Sequence, residues 1–355
     1  MGEQQPLNLV QFHDYMRLYA GTTQGVFKVN ADNGIVTRLG PLDTSVETVA
    51  VQGDTVLAAI TPDYGTLMRG ALHPSQGRGV MRSTDAGRHW VPCGGVLEDA
   101  QVTALAWGAG SFIAGTDPAS ILHSYDLGAT WAEGTPLSGL PGASRWGFPR
   151  PPHTAHVMTI VPHPTHSMVL YAGIEVGGVV MSSDGGCNWH EIGATDPTAT
   201  VHPAVHGLAV CPGAPHVVYA ATPDGVFLSE TAGATWVARS STLDPLYCRP
   251  ITVHQTDPDI AITVATLGAS GFFRREAHRT GARVMRTVDR GDNWLPVQGL
   301  PEHFQPTPAL VADPLMPGRF FLPLFSGELY VSTDDGATWE LLVEGIPTIL
   351  GMIAA

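Results

Sequence analysis

The chain has 355 residues, with 41 glycines and 29 prolines, 44 % hydrophobic residues and 14 % charged ones. It is too apolar for intrinsic disorder, and turn-formers this dense without a Gly-X-Y period exclude collagen and favour many short strands over long helices. A formal charge of −14, with Lys28 the single lysine, sets the surface against phosphate backbones, so no nucleic-acid partner is expected.

At the N-terminus, residues 1–21 lack a basic n-region and an apolar h-region. Pro6 stands where myristoylation of Gly2 needs Ser or Thr, and no apolar run reaches the length of a membrane span. The expectation is a cytoplasmic protein with no membrane partner. Cys93, Cys187, Cys211 and Cys248 are scattered and signal neither a zinc knuckle nor a disulfide framework. Three short strands are predicted first, at 8–12, 17–21 and 25–29, ending in the turn Ala31-Asp32-Asn33-Gly34. A related but more regular turn then recurs six times: Ser83-Thr-Asp85-Ala-Gly87-Arg-His-Trp90, and again at 124–131, 182–189, 229–236, 287–294 and 332–339. Each copy closes a predicted strand such as 225–229, preceded by alternating strands such as 169–173 and short apolar ones such as 157–161.

Tryptophans spaced 41 to 58 residues apart mark a structural repeat of four strands per unit, which is a propeller blade. Six marked units plus the degenerate first one predict an all-β fold, a seven-bladed β-propeller of four-stranded antiparallel blades forming one domain. The blades run over about 7–43, 44–97, 98–140, 141–195, 196–243, 244–301 and 302–347. A last strand at 348–355 offers itself to close the ring, in competition with 8–12.

The motif has a physical logic. Asp and Ser side chains bond the amides of a tight turn, Gly supplies a backbone angle closed to other residues, and Trp packs between blades. This is the Asp-box, or BNR repeat, and the chain resembles sialidase-like and photosystem-assembly-factor-like propellers over nearly its whole length. The resemblance implies that the boxes lie between the two outer strands of each blade, away from the ligand face. Asp85, Asp126, Asp184, Asp289 and Asp334 are therefore read as structural, and Thr231 replaces the aspartate in the fourth copy. His163, His166, His216 and His254 are expected on that same braced face.

The resemblance also implies a working face made by the loops entering each inner strand and those between second and third strands. Two of the latter are long. Residues 61–79 carry Tyr64 and Arg69, and residues 267–282 carry Arg274 and Arg275. The entry segment 138–156 carries Arg145, Trp146, Arg150, His153 and His156, and the next carries His202 and His206. Aligning the inner strands places His153 with His202, and His156 with Gln101 and Arg249. With Glu175 nearby, His153, His156, His202 and His206 are candidate ligands of a divalent metal, the one cofactor considered. Arg145, Trp146, Arg150, Glu175, Tyr247, Arg249, Arg274 and Arg275, with Tyr64 and Arg69, are candidate contacts for an anionic or carbohydrate-like small ligand or a protein partner.

Three functions follow. One is a binding propeller for such a ligand or partner. Another is a glycan-active hydrolase or lyase, in which Arg69, Arg145, Arg249 and Arg274 would clamp a carboxylate and Tyr64 or Tyr247 would be the nucleophile. The Arg-Ile-Pro element of sialidases is missing, so no catalytic residue transfers by motif. The third is a metal-dependent enzyme built on the histidines.

Overall fold

The box turns are closed by their own side chains. In the first regular copy Ser83 Oγ donates to Asp85 Oδ1 at 2.8 Å and accepts from the Gly87 amide at 2.9 Å, while Asp85 Oδ1 accepts from the His89 amide at 2.9 Å. The pattern repeats at Asp126, Asp184, Asp289 and Asp334. Thr231 substitutes its hydroxyl, which accepts from the Thr235 amide at 2.9 Å. Gly87 takes φ +84°, and a Cβ there would stand 2.7 Å from Leu39 of the neighbouring blade, so conformation and space both require glycine.

The computed structural model describes residues 16–40, 42–61, 78–147, 153–193, 201–268, 280–306 and 309–355. Their strands form seven four-stranded antiparallel sheets. Blade 4 is typical, running from the axis outward as His156–Pro162, Leu170–Glu175, Gly178–Ser182 and His190–Ile192. The inner strands of blades 2, 3, 5, 6 and 7 are Val46–Gln52, Gln101–Gly108, Gly207–Val210, Tyr247–Val253 and Val311–Ala312. In blade 1 the inner strand is Ile349–Ala354, paired antiparallel with Arg17–Thr22. The C-terminal segment thus closes the ring, and residues 8–12 lie outside the described residues. No helix of the described residues is long and apolar enough to cross a membrane.

The core is not a single centre but seven apolar clusters, one in each blade-to-blade interface. Trp131, Trp189, Trp236, Trp294 and Trp339 are buried there, and Trp90 packs against the blade 1–2 cluster. Burial of one such ring is worth about 3–5 kcal/mol against alanine. The interface between blades 7 and 1 has no box tryptophan, because the first turn lacks one. At that interface Arg319 bridges Asp313 of blade 7 to Asp32 of the first turn. The outer strands are short, and two of them, Val91–Pro92 and Leu295–Pro296, end in proline, which blunts an exposed sheet edge.

Backbone contacts separate the two faces. Box residues Ala86, Gly185, Ala232, Arg290 and Asp335 each donate to the turn joining the first two strands of their own blade. His163 and His254 sit in such turns, accepting through Nδ1 from backbone amides two or three residues on, as box-face turn residues should. On the other face, the hairpins between second and third strands meet the entry segments: Gly177 and Gly178 donate to Pro203 O, and Gly79 donates to Ala100 O. The described residues that flank the two long insertions, Thr61 and Arg78 in blade 2 and Gly268 and Thr280 in blade 6, belong to hairpins of this second face, and the insertions themselves lie outside the described residues.

Candidate functional site

The inner strands begin irregularly, at the end of the ring away from the boxes. Gln101 pairs with Asp117, His156 with Glu175 and Tyr247 with Thr266, so Tyr247 rather than Arg249 occupies the position equivalent to His156. A bulge follows within a few residues in blades 2, 3, 4 and 6: Glu47, Thr103 and Met158 are the extra residues of the first three, and in blade 6 Arg249 and Pro250 together stand opposite the single residue Val264. The alignment of Arg249 with His156 is thereby corrected. Blades 4 and 6 carry the same number of residues through the bulge, from His156 to Ile160 and from Tyr247 to Ile251, so the equivalence of Tyr247 with His156 holds on both sides of it.

Glu175 is the centre of the arrangement. One oxygen lies 2.6 Å from His156 Nε2 and the other 3.7 Å from His206 Nε2, an ion-pair distance beyond hydrogen-bond reach. His206 has a side chain only 2 % exposed, and its Nδ1 donates to Cys248 O at 2.9 Å. That bond fixes the ring and turns Nε2 toward Glu175, while the Tyr247 ring lies 5.0 Å away. Burial opposes ionisation of Glu175, but the hydrogen bond with His156 and the electrostatic pull of His156 and His206 override it and hold the carboxyl well below the usual range. Burial likewise opposes a charged His156, yet Glu175 and the charge of Asp117 raise its imidazole above the ordinary value. Glu47 behaves oppositely: burial raises its carboxyl, and Arg249 and His156 only partly offset this.

The histidines do not form one centre. His156 and His206 meet on Glu175, whereas His202 lies 3.3 Å from Asp224 and accepts from the Ala204 amide, and His153 is exposed with φ +66°. Among the described residues no three His, Cys, Asp or Glu side chains are placed to hold a metal ion. Arg145 is exposed at the end of a short 3₁₀ turn. Trp146 is half-buried against the blade 3–4 core and covers Gly177 beneath the Glu175 hairpin. Tyr64, Arg69, Arg150, Arg274 and Arg275 lie outside the described residues.

Glu47 and Asp117 were not singled out from sequence. The available signal for Glu47 is a lone acid inside the apolar strand Val46–Gln52, which strict alternation does not require. Asp117 is held by Thr154 Oγ1 at 2.8 Å, a contact across blades that only the fold creates.

A family model for the BNR/Asp-box repeat matches residues 330–341, the last box. No curated protein matches the chain. Among solved structures it is similar to YCF48 bound to D1 peptide, with 15 % identity over 84 % of this chain and 81 % of that one and a TM-score of 0.52. It is also similar to a GH74 xyloglucanase from Xanthomonas campestris, with 16 % identity over 94 % of this chain and a TM-score of 0.64. It spans only 53 % of that enzyme's length. YCF48 from Cyanidioschyzon merolae shares 14 % identity over 90 % of this chain and 89 % of that one, with a TM-score of 0.50. At these identities the likeness concerns the fold alone.

Proposed function

We propose that this Asp-box propeller is a binding module whose insertion-bearing face takes a ligand rich in hydroxyl or carboxylate groups, as a small carbohydrate-like molecule or as part of a protein partner. The observation that carries the reading is the Glu175 array with His156, His206, Tyr247, Arg249 and Glu47. These polar groups gather at one mouth of the channel, and the repeat does not need any of them. An ionised carboxylate between two imidazoles accepts from sugar hydroxyls or amides, while Arg249 and His156 answer an anionic group. A peptide-bound and a carbohydrate-active propeller among the structural neighbours are compatible with either form of ligand.

The test is a glycan array and an acidic-peptide library probed with the full chain, followed by titration of any hit against Glu175→Gln and Arg249→Met. A loss of tenfold or more in affinity with either variant is expected. No hit in either library, or hits indifferent to both variants, would overturn the reading.

A second reading, glycan hydrolysis, draws on one observation: Glu47 and Glu175 are pushed in opposite directions, as an acid and a base sharing a site would be. Turnover of a xyloglucan or sialoside substrate that vanishes in Glu47→Gln would support it, and background rates would end it.

A further inference from the structure

The channel has a second end, on the box face, and its chemistry differs from that of the Glu175 mouth. There the final residues of the inner strands of blades 1 to 4, with Arg17 and Tyr19, line a half-open recess of about 560 Å³. Leu105, Trp107, Ile160, Pro162 and Ile353 supply the apolar part of its walls. Space exists because Ala50 and Ala106 stand on two of the lining strands where larger side chains would fill it. Trp107 is set edge-on against the fully buried Phe112, with ring centroids 4.8 Å apart, which fixes the indole as part of the wall.

Polar groups are few and converge at the rim. Arg17 is exposed, and among the described residues its guanidinium makes no ion pair. Beside it is Tyr19, itself 5 % exposed and close enough for its hydroxyl to be acted on by the Arg17 charge. Burial raises the Tyr19 hydroxyl above its ordinary value, so it remains a donor throughout the neutral range. Gln52 also lines the rim, as do Gly53 and Ala355, the latter paired with Arg17 through the backbone of both. The Asp54 carboxylate also lies near enough to act on Tyr19.

We propose that this box-face recess is a binding site for a small amphiphilic monoanion, an aromatic or aliphatic body carrying one carboxylate or sulfonate. The body fills the space between Trp107, Leu105 and Ile160. The anionic head lies across Arg17 and the Tyr19 hydroxyl, a planar fork and a second donor that match two oxygens of one head group. The volume falls within the range of small-molecule sites, and an apolar chamber with a few convergent donors is their usual composition. The site shares no residue with the Glu175 array, so the two readings stand or fall separately.

The probe is 1-anilinonaphthalene-8-sulfonate, titrated fluorimetrically and by calorimetry against the folded full chain, with N-phenyl-1-naphthylamine as the uncharged analogue. We expect one saturable site, weakened at least tenfold in Arg17→Gln and in Trp107→Ala, and unchanged in Arg249→Met. The neutral analogue should bind at least fivefold more weakly than the sulfonate and be indifferent to Arg17→Gln. Ala106→Leu, which reduces the recess from within, should abolish binding while near-ultraviolet circular dichroism stays native. Should that variant fail to fold, the Arg17→Gln comparison decides by itself. Absence of a saturable site, equal affinity in Arg17→Gln, or equal binding of charged and neutral probes would overturn the proposal.

Discussion

Asp126 accepts from the Thr130 hydroxyl and amide and from Ser124, and these bonds hold its carboxyl below the ordinary aspartate range. A folded-state carboxyl of this kind contributes stability that is complete above the unfolded value of about 3.9 and disappears as pH falls through the lower folded one. Asp126→Asn should therefore cost stability at neutral pH and flatten the decline between about pH 4 and pH 2. Urea denaturation at stepped pH reads this, and parallel curves for the two proteins would show that the carboxylate contributes nothing. The role of this residue was legible in the sequence because everything it touches lies within six positions of it. Glu175 is a different case. Its partners His156 and His206 come from the inner strand of its own blade and the entry to the next, so no local pattern announces that one carboxylate joins them.

Among elements, the closing strand Ile349–Ala354 shows how a register is fixed by space. Gly351 stands opposite Gly21, and a Cβ on either would meet the blade 2 backbone, 2.4 Å from Glu47 O and 2.6 Å from Val46 O respectively. The pair lets blade 1 approach blade 2 more closely than any side chain would permit. Gly351→Val is expected to lower stability by about 1–3 kcal/mol or more through overpacking, measured as a fall in the urea midpoint. An unchanged midpoint would mean that the strand can shift aside. The sequence marked two segments capable of filling this slot, since 8–12 and 348–352 are both short and apolar. Strand propensity is local and cannot choose between them; antiparallel pairing with Arg17–Thr22 selects the C-terminal one.

At the scale of the molecule, stability is distributed around a ring of seven interfaces, and the one without a box tryptophan has Arg319 bridging two aspartates. Arg319 is 9 % exposed and Asp313 fully buried, so removing the cation leaves a carboxylate stranded in the interior. Arg319→Met should cost about 3–5 kcal/mol, whereas Arg290→Met, whose side chain is 36 % exposed between Glu230 and Asp259, should cost about 1 kcal/mol or less. Equal losses in the two variants, by chemical denaturation, would remove Arg319 as the lock of the ring. By itself the sequence determined the blade count, the four-strand unit and the box turns, because each is written in residues close together along the chain and repeated. Only the tertiary structure decided which strand closes the ring, where the bulges place Glu47 and Arg249, and which histidines share a carboxylate. Those depend on register between strands far apart in the chain, where a shift of one or two residues redirects a side chain while leaving the hydrophobic pattern intact.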